Sequence, residues 1–140
     1  MSKIIKQYLK LFENLNIENI NKFEYLLDKD IVFIDPFNKI KGREQFIKLF
    51  KRNLEIIKNP KFIITTVTSV KNIYFVKWRM EYFAFGKTQS IDGVSEIKLN
   101  KLGLIIYHYD HWDSFNQFYL KLPFLGKVLK LLYNFIKLKI

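Results

Sequence analysis

The chain has no cysteine, which excludes a disulfide framework and any thiolate metal site. Arginine is scarce: Arg43, Arg52 and Arg79 are the only ones among 24 basic residues. Guanidinium forks that clamp phosphates or read base edges are therefore few, and the lysines are scattered through every segment. The net charge of +11 predicts weak, salt-sensitive adhesion to polyanions and no specific nucleic-acid binding. No apolar run is long enough and free enough of charge to span a bilayer. Met1-Ser2-Lys3-Ile4-Ile5-Lys6-Gln7 is not the apolar run of a signal peptide, so a cytoplasmic location is the expectation. Also missing are Gly-x-Ser-x-Gly, a glycine-rich phosphate loop and a dinucleotide fingerprint. Covalent acyl chemistry and nucleotide cofactors find no support, and no cofactor is expected.

What is present is apolar and aromatic. A hydrophobic fraction of 49% with 17% aromatics supplies a core for one domain over residues 1–140. Such a domain buries roughly two-thirds of its extended-chain surface. Ile4, Ile5, Tyr8, Leu9, Phe12 and Leu15 recur at helical spacing. A second, short helix follows Asn19 as a possible cap, with Ile20, Phe23, Leu26 and Leu27 on its apolar side. Ile31–Ile34 is a short β-branched run halted at Asp35-Pro36, and Gly42 breaks the chain again. Phe46, Ile47, Phe50, Leu54 and Ile57 form a third amphipathic helix that ends by Asn59-Pro60. The second half reads as a meander of long strands, about 61–70, 73–85, 88–99 and 104–113. Strands of that length twist, so the sheet is expected to curl and present a concave face to the helices. After Trp112-Asp113 the chain returns to helix, about 123–138.

Helices with a short strand, a long-stranded meander and a closing helix give an α+β order that resembles the nuclear transport factor 2-like superfamily. The specific stretches are Asp35-Pro36-Phe37-Asn38 with Gly42, Trp78, Gly93-Val94-Ser95, Tyr107 to Asp113, and Leu122-Pro123-Phe124-Leu125-Gly126. They are most similar to the SnoaL-like branch, whose relatives include ketosteroid isomerases, polyketide cyclases and limonene epoxide hydrolases. The resemblance implies a curved antiparallel sheet packed on N-terminal helices around a pocket, and by superfamily habit a homodimer. Its members include catalysts, binders and scaffolds, so fold alone assigns no reaction.

The resemblance also implies a set of candidate residues. Asp35, at the end of an apolar strand beside Phe33 and Phe37, matches the isomerase base that shuttles a proton; the alternative is a turn aspartate bonded to backbone amides. Tyr8, on the apolar side of the first helix, resembles the isomerase phenol that hydrogen-bonds a developing enolate. Ser95 falls where that family carries a second, more acidic donor. Strand alternation puts His108, Asp110 and Trp112 on one face and Tyr107, Tyr109, His111 and Asp113 on the other. An inward Asp110 matches the position of a working carboxylate in cyclases and epoxide hydrolases, with His108 as its neighbour. The same alternation splits the His and Asp side chains into pairs on opposite faces, so no metal site is expected. In the second long strand Val76, Trp78, Met80 and Tyr82 share one face and Lys77, Arg79 and Glu81 the other. The charged row belongs on solvent, which turns the Arg79/Glu81 pair away from an epoxide-hydrolase role.

The expected function is a pocket protein for a small apolar or polycyclic ligand, with Phe37, Trp78, Met80, Ser95 and Trp112 touching it. Its chemistry would be cofactor-independent proton transfer on a carbonyl compound; the alternatives are a non-catalytic binder and a scaffold whose cone is filled by its own aromatics. The last helix carries Lys127, Lys130, Asn134 and Lys137 on one side and a wide apolar arc on the rest. A lid, a dimer contact and a weak contact with an anionic membrane are its three readings.

Overall fold

The computed structural model describes residues 1–138. Helix α1 spans Lys3–Glu13; the Ser2 side chain accepts from Ile5 N at 3.2 Å and caps it. Its inward side is the expected one, with Ile5, Tyr8, Leu9 and Phe12 buried. The second short helix is a 3₁₀ turn, Ile20–Tyr25. Asn19 precedes it but does not cap it; its Oδ1 accepts from Asn16 N at 3.0 Å instead.

Strand β1 covers Leu27–Ile34, starting four residues earlier than apolar character alone indicates. Pairing extends it: Leu27 lies opposite Ile105, across a register shift from the regular pairs Val32 to Tyr107, Phe33 to His108 and Ile34 to Tyr109. A three-residue strand β2, Lys39–Lys41, folds back on β1 and has no sequence signal of its own. Gly42 then adopts φ +103°, which favours glycine, and its N–H donates to Ile31 O at 2.8 Å. This turn launches helix α2, Arg43–Ile56.

The meander follows as β3 (Lys58–Val70), β4 (Ile73–Ala84), β5 (Lys87–Leu99) and β6 (Ile105–His111). The six strands form one open, curved sheet in the order β2-β1-β6-β5-β4-β3. All neighbours are antiparallel except β1 and β6, a parallel pair inside a sheet expected to be antiparallel throughout. Pro60 lies within β3, not before it; β3 is an edge strand, where a missing N–H is tolerated. The other edge, β2, is short and carries Lys39 and Lys41, which discourages pairing with another chain.

Aromatic rings join the helices to the concave face. Phe46 and Phe50 lie 4.6 Å apart between centroids, Phe12 and Phe23 4.9 Å, Tyr8 and Phe12 5.0 Å, and Phe33 and Phe46 5.4 Å. Such pairs contribute about 0.5–1.5 kcal/mol each beyond area burial.

The C-terminal helix expected over about 123–138 is α4, Leu125–Ile136. Two short elements precede it, α3 (Ser114–Gln117) and a 3₁₀ turn (Tyr119–Lys121). The first is held by a tertiary contact. Gln117 accepts from Asp92 N at 2.6 Å and donates to Asp92 O at 2.9 Å, which ties the segment to β5.

Candidate functional site

A hollow of about 330 Å³ opens between the sheet and α2. The filled-cone reading therefore does not describe this fold. Its wall is mostly apolar and rich in aromatic rings, with Phe33, Phe50, Phe62 and Trp78 deep and Phe37, Trp112 and Phe118 at one side. The polar groups on it are few: Asp35, Asn38, Asn53, Tyr82 and Asp110. A smaller space of about 40 Å³ continues inward, where Tyr8, Ser95 and His108 join the wall. Phe50, Phe62, Trp78 and Asp110 border both spaces, so Asp110 sits where one passes into the other.

One hydrogen-bonded chain crosses the site. Strand β6 supplies His108 and Asp110, both inward as alternation predicts. Strand β5 places Ser95 opposite Asp110, and β4 places Trp78 opposite Gly93. Trp78 Nε1 donates to Ser95 Oγ at 2.8 Å, and Ser95 Oγ donates to Asp110 Oδ1. His108 Nε2 lies 2.7 Å from the same Oδ1, and His108 Nδ1 lies 2.6 Å from the Tyr8 hydroxyl. Gly93 makes this possible: a Cβ there would stand 2.4 Å from Trp78 Cζ2, so only glycine lets the indole cross to Ser95.

Proton placement follows from the donors available. With Asp110 as carboxylate, Oδ1 accepts from Ser95 and from His108 Nε2–H; Nδ1 is then the acceptor and Tyr8 donates to it. This assignment satisfies every member of the chain, and no buried side-chain polar atom among the described residues lacks a partner. Burial, and after it the charge of Asp110, hold the Tyr8 phenol well above its usual range, so it stays protonated. The hydroxyl proposed as an oxyanion donor is thus already committed to His108, and Ser95's proton is committed to Asp110.

Asp110 keeps one oxygen free. Its side chain is 17% exposed, Oδ2 accepts no hydrogen bond among the described residues, and no buried atom is left unsatisfied, so Oδ2 faces the hollow. Asp35 is differently engaged. Its Oδ1 accepts from Phe37 N and Asn38 N at 2.7 Å each and from Asn38 Nδ2 at 3.0 Å; Oδ2 accepts from Asn38 Nδ2 at 3.0 Å. The carboxylate does what a turn aspartate beside Pro36 does, while still bordering the hollow. Asp35 follows directly on Ile34, the last β1 residue in register with β6, opposite Tyr109.

Trp78, Met80 and Trp112 line the hollow, as does Phe37 from its rim, whereas Ser95 lies in the inner space. Arg79 is on the outer face, where its guanidinium grips Asp92 at 2.8 Å. Two polar groups were missed or undervalued. Asn53 and Tyr82 line the hollow, and neither side chain has a hydrogen-bond partner among the described residues. Asn53 follows Phe50 by three, so helical spacing gave a signal for it. Burial raises the Tyr82 phenol, which keeps it a donor. Among the described residues no group of three or more His, Asp or Glu side chains is placed to hold a metal.

Comparison with known proteins agrees with this architecture. The model of the SnoaL-like domain family matches residues 8–108, ending two residues before Asp110. No curated protein matches the sequence. Among solved structures, a nuclear transport factor 2-like protein from Anabaena variabilis superposes with a TM-score of 0.70 at 19% identity, covering 80% of this chain and 88% of that one. An epoxide hydrolase from M. tuberculosis, described as limonene-epoxide-hydrolase-like (LEH-like), gives 0.68 at 14% identity over 96% and 92%. A protein of ketosteroid isomerase-like fold from Catenulispora acidiphila, in complex with trimethylamine, gives 0.71 at 15% identity over 84% and 90%. At these identities the likeness is one of fold.

Proposed function

Because the chain belongs to the SnoaL-like domain family, we propose that it is a small-molecule pocket protein in which Asp110 takes and returns a proton on an apolar carbonyl ligand. The observation that carries this reading is the free Oδ2 of Asp110 in an apolar hollow, its other oxygen held by Ser95 and His108. A carboxylate fixed in this way presents one oxygen to the ligand and cannot rotate to satisfy itself elsewhere. In the reaction, Oδ2 accepts a proton from carbon next to the carbonyl, and the C–H electron pair moves into an enolate. The enolate oxygen needs a donor, and Asn53 Nδ2 and Tyr82 O–H are the uncommitted ones on the wall. Where a C=C is conjugated with the enolate, reprotonation from the Asp110 carboxylic acid at the far carbon completes a double-bond isomerisation. Where the enolate carbon instead attacks a second carbonyl of the same molecule, the ring closes through that C–C bond and Asp110 returns its proton to the alkoxide oxygen. His108 and Tyr8 are positioning residues here, and Asp35 shapes the rim. A hollow of this size suits a small, largely apolar molecule.

The test uses Asp110→Asn, which keeps an acceptor for Ser95 and His108 but cannot take a proton. Exchange of carbonyl-adjacent hydrogens with deuterated water, followed by NMR over a panel of apolar ketones, should fall about 10²–10⁴-fold. Trp78 and Trp112, the two tryptophans of the chain, both line the hollow, so intrinsic fluorescence reports ligand affinity, which should stay within a few-fold. Exchange at the unsubstituted rate in Asp110→Asn refutes the assignment. A non-catalytic binder remains the second reading, favoured by the commitment of the Tyr8 and Ser95 protons; it predicts ligand-dependent fluorescence with no exchange for any ketone.

A further inference from the structure

Helix α4 is attached to the body of the protein along a narrow line. Gly126 is its one buried residue, and a Cβ there would lie 2.3 Å from Leu120 O, so the helix start is pressed on the preceding 3₁₀ turn. Beyond that, the Tyr133 ring meets Phe115 at 5.5 Å between centroids. The opposite side is bare: Phe135 is 89% exposed, Ile136 83% and Leu131 65%, with Val128 and Leu132 between them. At 100° per residue these five share one arc, facing away from Gly126 and Tyr133.

The charge around this arc has one sign. From Ser114 to Ile140 the chain holds five lysines and no acidic residue. Lys127 borders the arc, while Lys130 and Lys137 lie round the helix from it, on its polar side. A lid is not what α4 forms, because none of its residues lines the hollow. A second copy laid on the arc would leave the lysines without a counter-charge, between chains that each carry +11. An anionic lipid surface satisfies both halves of the pattern, taking the apolar arc among its acyl chains and the lysines among its headgroups.

We propose that α4 is a docking helix for anionic lipid bilayers, lying in the interface with Leu131 and Phe135 inserted. This inference does not rest on the catalytic reading. It bears on that reading because Phe118, in the segment that supports α4, is part of the wall of the hollow.

The experiment is co-sedimentation of the full chain with vesicles of phosphatidylcholine, with or without about 30 mol% phosphatidylglycerol. The protein should pellet with the anionic vesicles, remain in solution with the neutral ones, and be released by high salt. Lys127→Gln with Lys130→Gln should weaken partitioning roughly 25-fold, about fivefold per lysine. Leu131→Glu with Phe135→Glu should abolish it. Both of those positions are exposed, so thermal melting should be unchanged and loss of binding cannot come from unfolding. Equal pelleting with neutral vesicles, no pelleting with either, or wild-type binding by the Glu pair overturns the proposal. So does a dimer in sedimentation velocity that the Glu pair dissolves while vesicles bind neither protein.

Discussion

Replacing Tyr8 by Phe tests the hydrogen-bonded chain at its most buried link. Tyr8 is fully buried and His108 nearly so, and the phenol is the donor that His108 Nδ1 receives. Removing one oxygen leaves the ring packing with Phe12 and Phe23 in place but strands Nδ1 as a buried acceptor. An unsatisfied buried group costs about 1–3 kcal/mol. For a domain of this size, at about 4 °C per kcal/mol, the melting temperature should drop by roughly 4–12 °C. His108→Leu alone should cost more, because it also takes a donor from Asp110 Oδ1. The double variant removes both partners of the Tyr8–His108 bond, so its loss should fall short of the sum by about 1 kcal/mol. Urea unfolding of the four proteins measures this cycle. A Tyr8→Phe cost below about 0.5 kcal/mol, or strict additivity, means that the phenol is not the imidazole's donor and that the proton assignment along the chain is wrong.

Alkaline pH offers a second test of the same phenol. Its folded pKa is raised, so its contribution is complete below about pH 10, where folded and unfolded chains are both protonated. It is lost as pH rises from the unfolded value through the folded one, by at most about 1.4 kcal/mol per pH unit. The Tyr8→Phe protein should lack that part of the decline; identical slopes would count against the burial argument. Gly93→Ala should drive a methyl into Trp78, with contacts at 2.4 and 2.6 Å to ring carbons, and break the bond to Ser95. A loss of about 1–3 kcal/mol and shifted tryptophan emission are expected, and unchanged emission would contradict the packing.

Much of the architecture was legible because it depends on periodicity. Alternation in β4 sorted Trp78, Met80 and Tyr82 from Arg79 and Glu81, and in β6 it put His108 and Asp110 on one face. The helical spacing of Tyr8 and Phe12 put them in the core. A residue's facing follows from its own strand or helix, with no knowledge of the partner. Partners themselves were out of reach of such reasoning. The separation of 100 residues between Tyr8 and His108 is bridged by how α1 lies on the sheet. The parallel pairing of β1 with β6 sets Phe33 opposite His108, and the tie between Gln117 and Asp92 fixes the segment ahead of α4 on β5. Which carboxylate keeps an oxygen for a ligand was decided the same way. Asp35 meets its donors within its own turn, whereas Asp110 meets Ser95 across β5 and His108 two residues back, both on one oxygen. Facing is a local property of the backbone. The count of donors around a carboxylate depends on register and packing across the whole chain, and these exist only once it has folded.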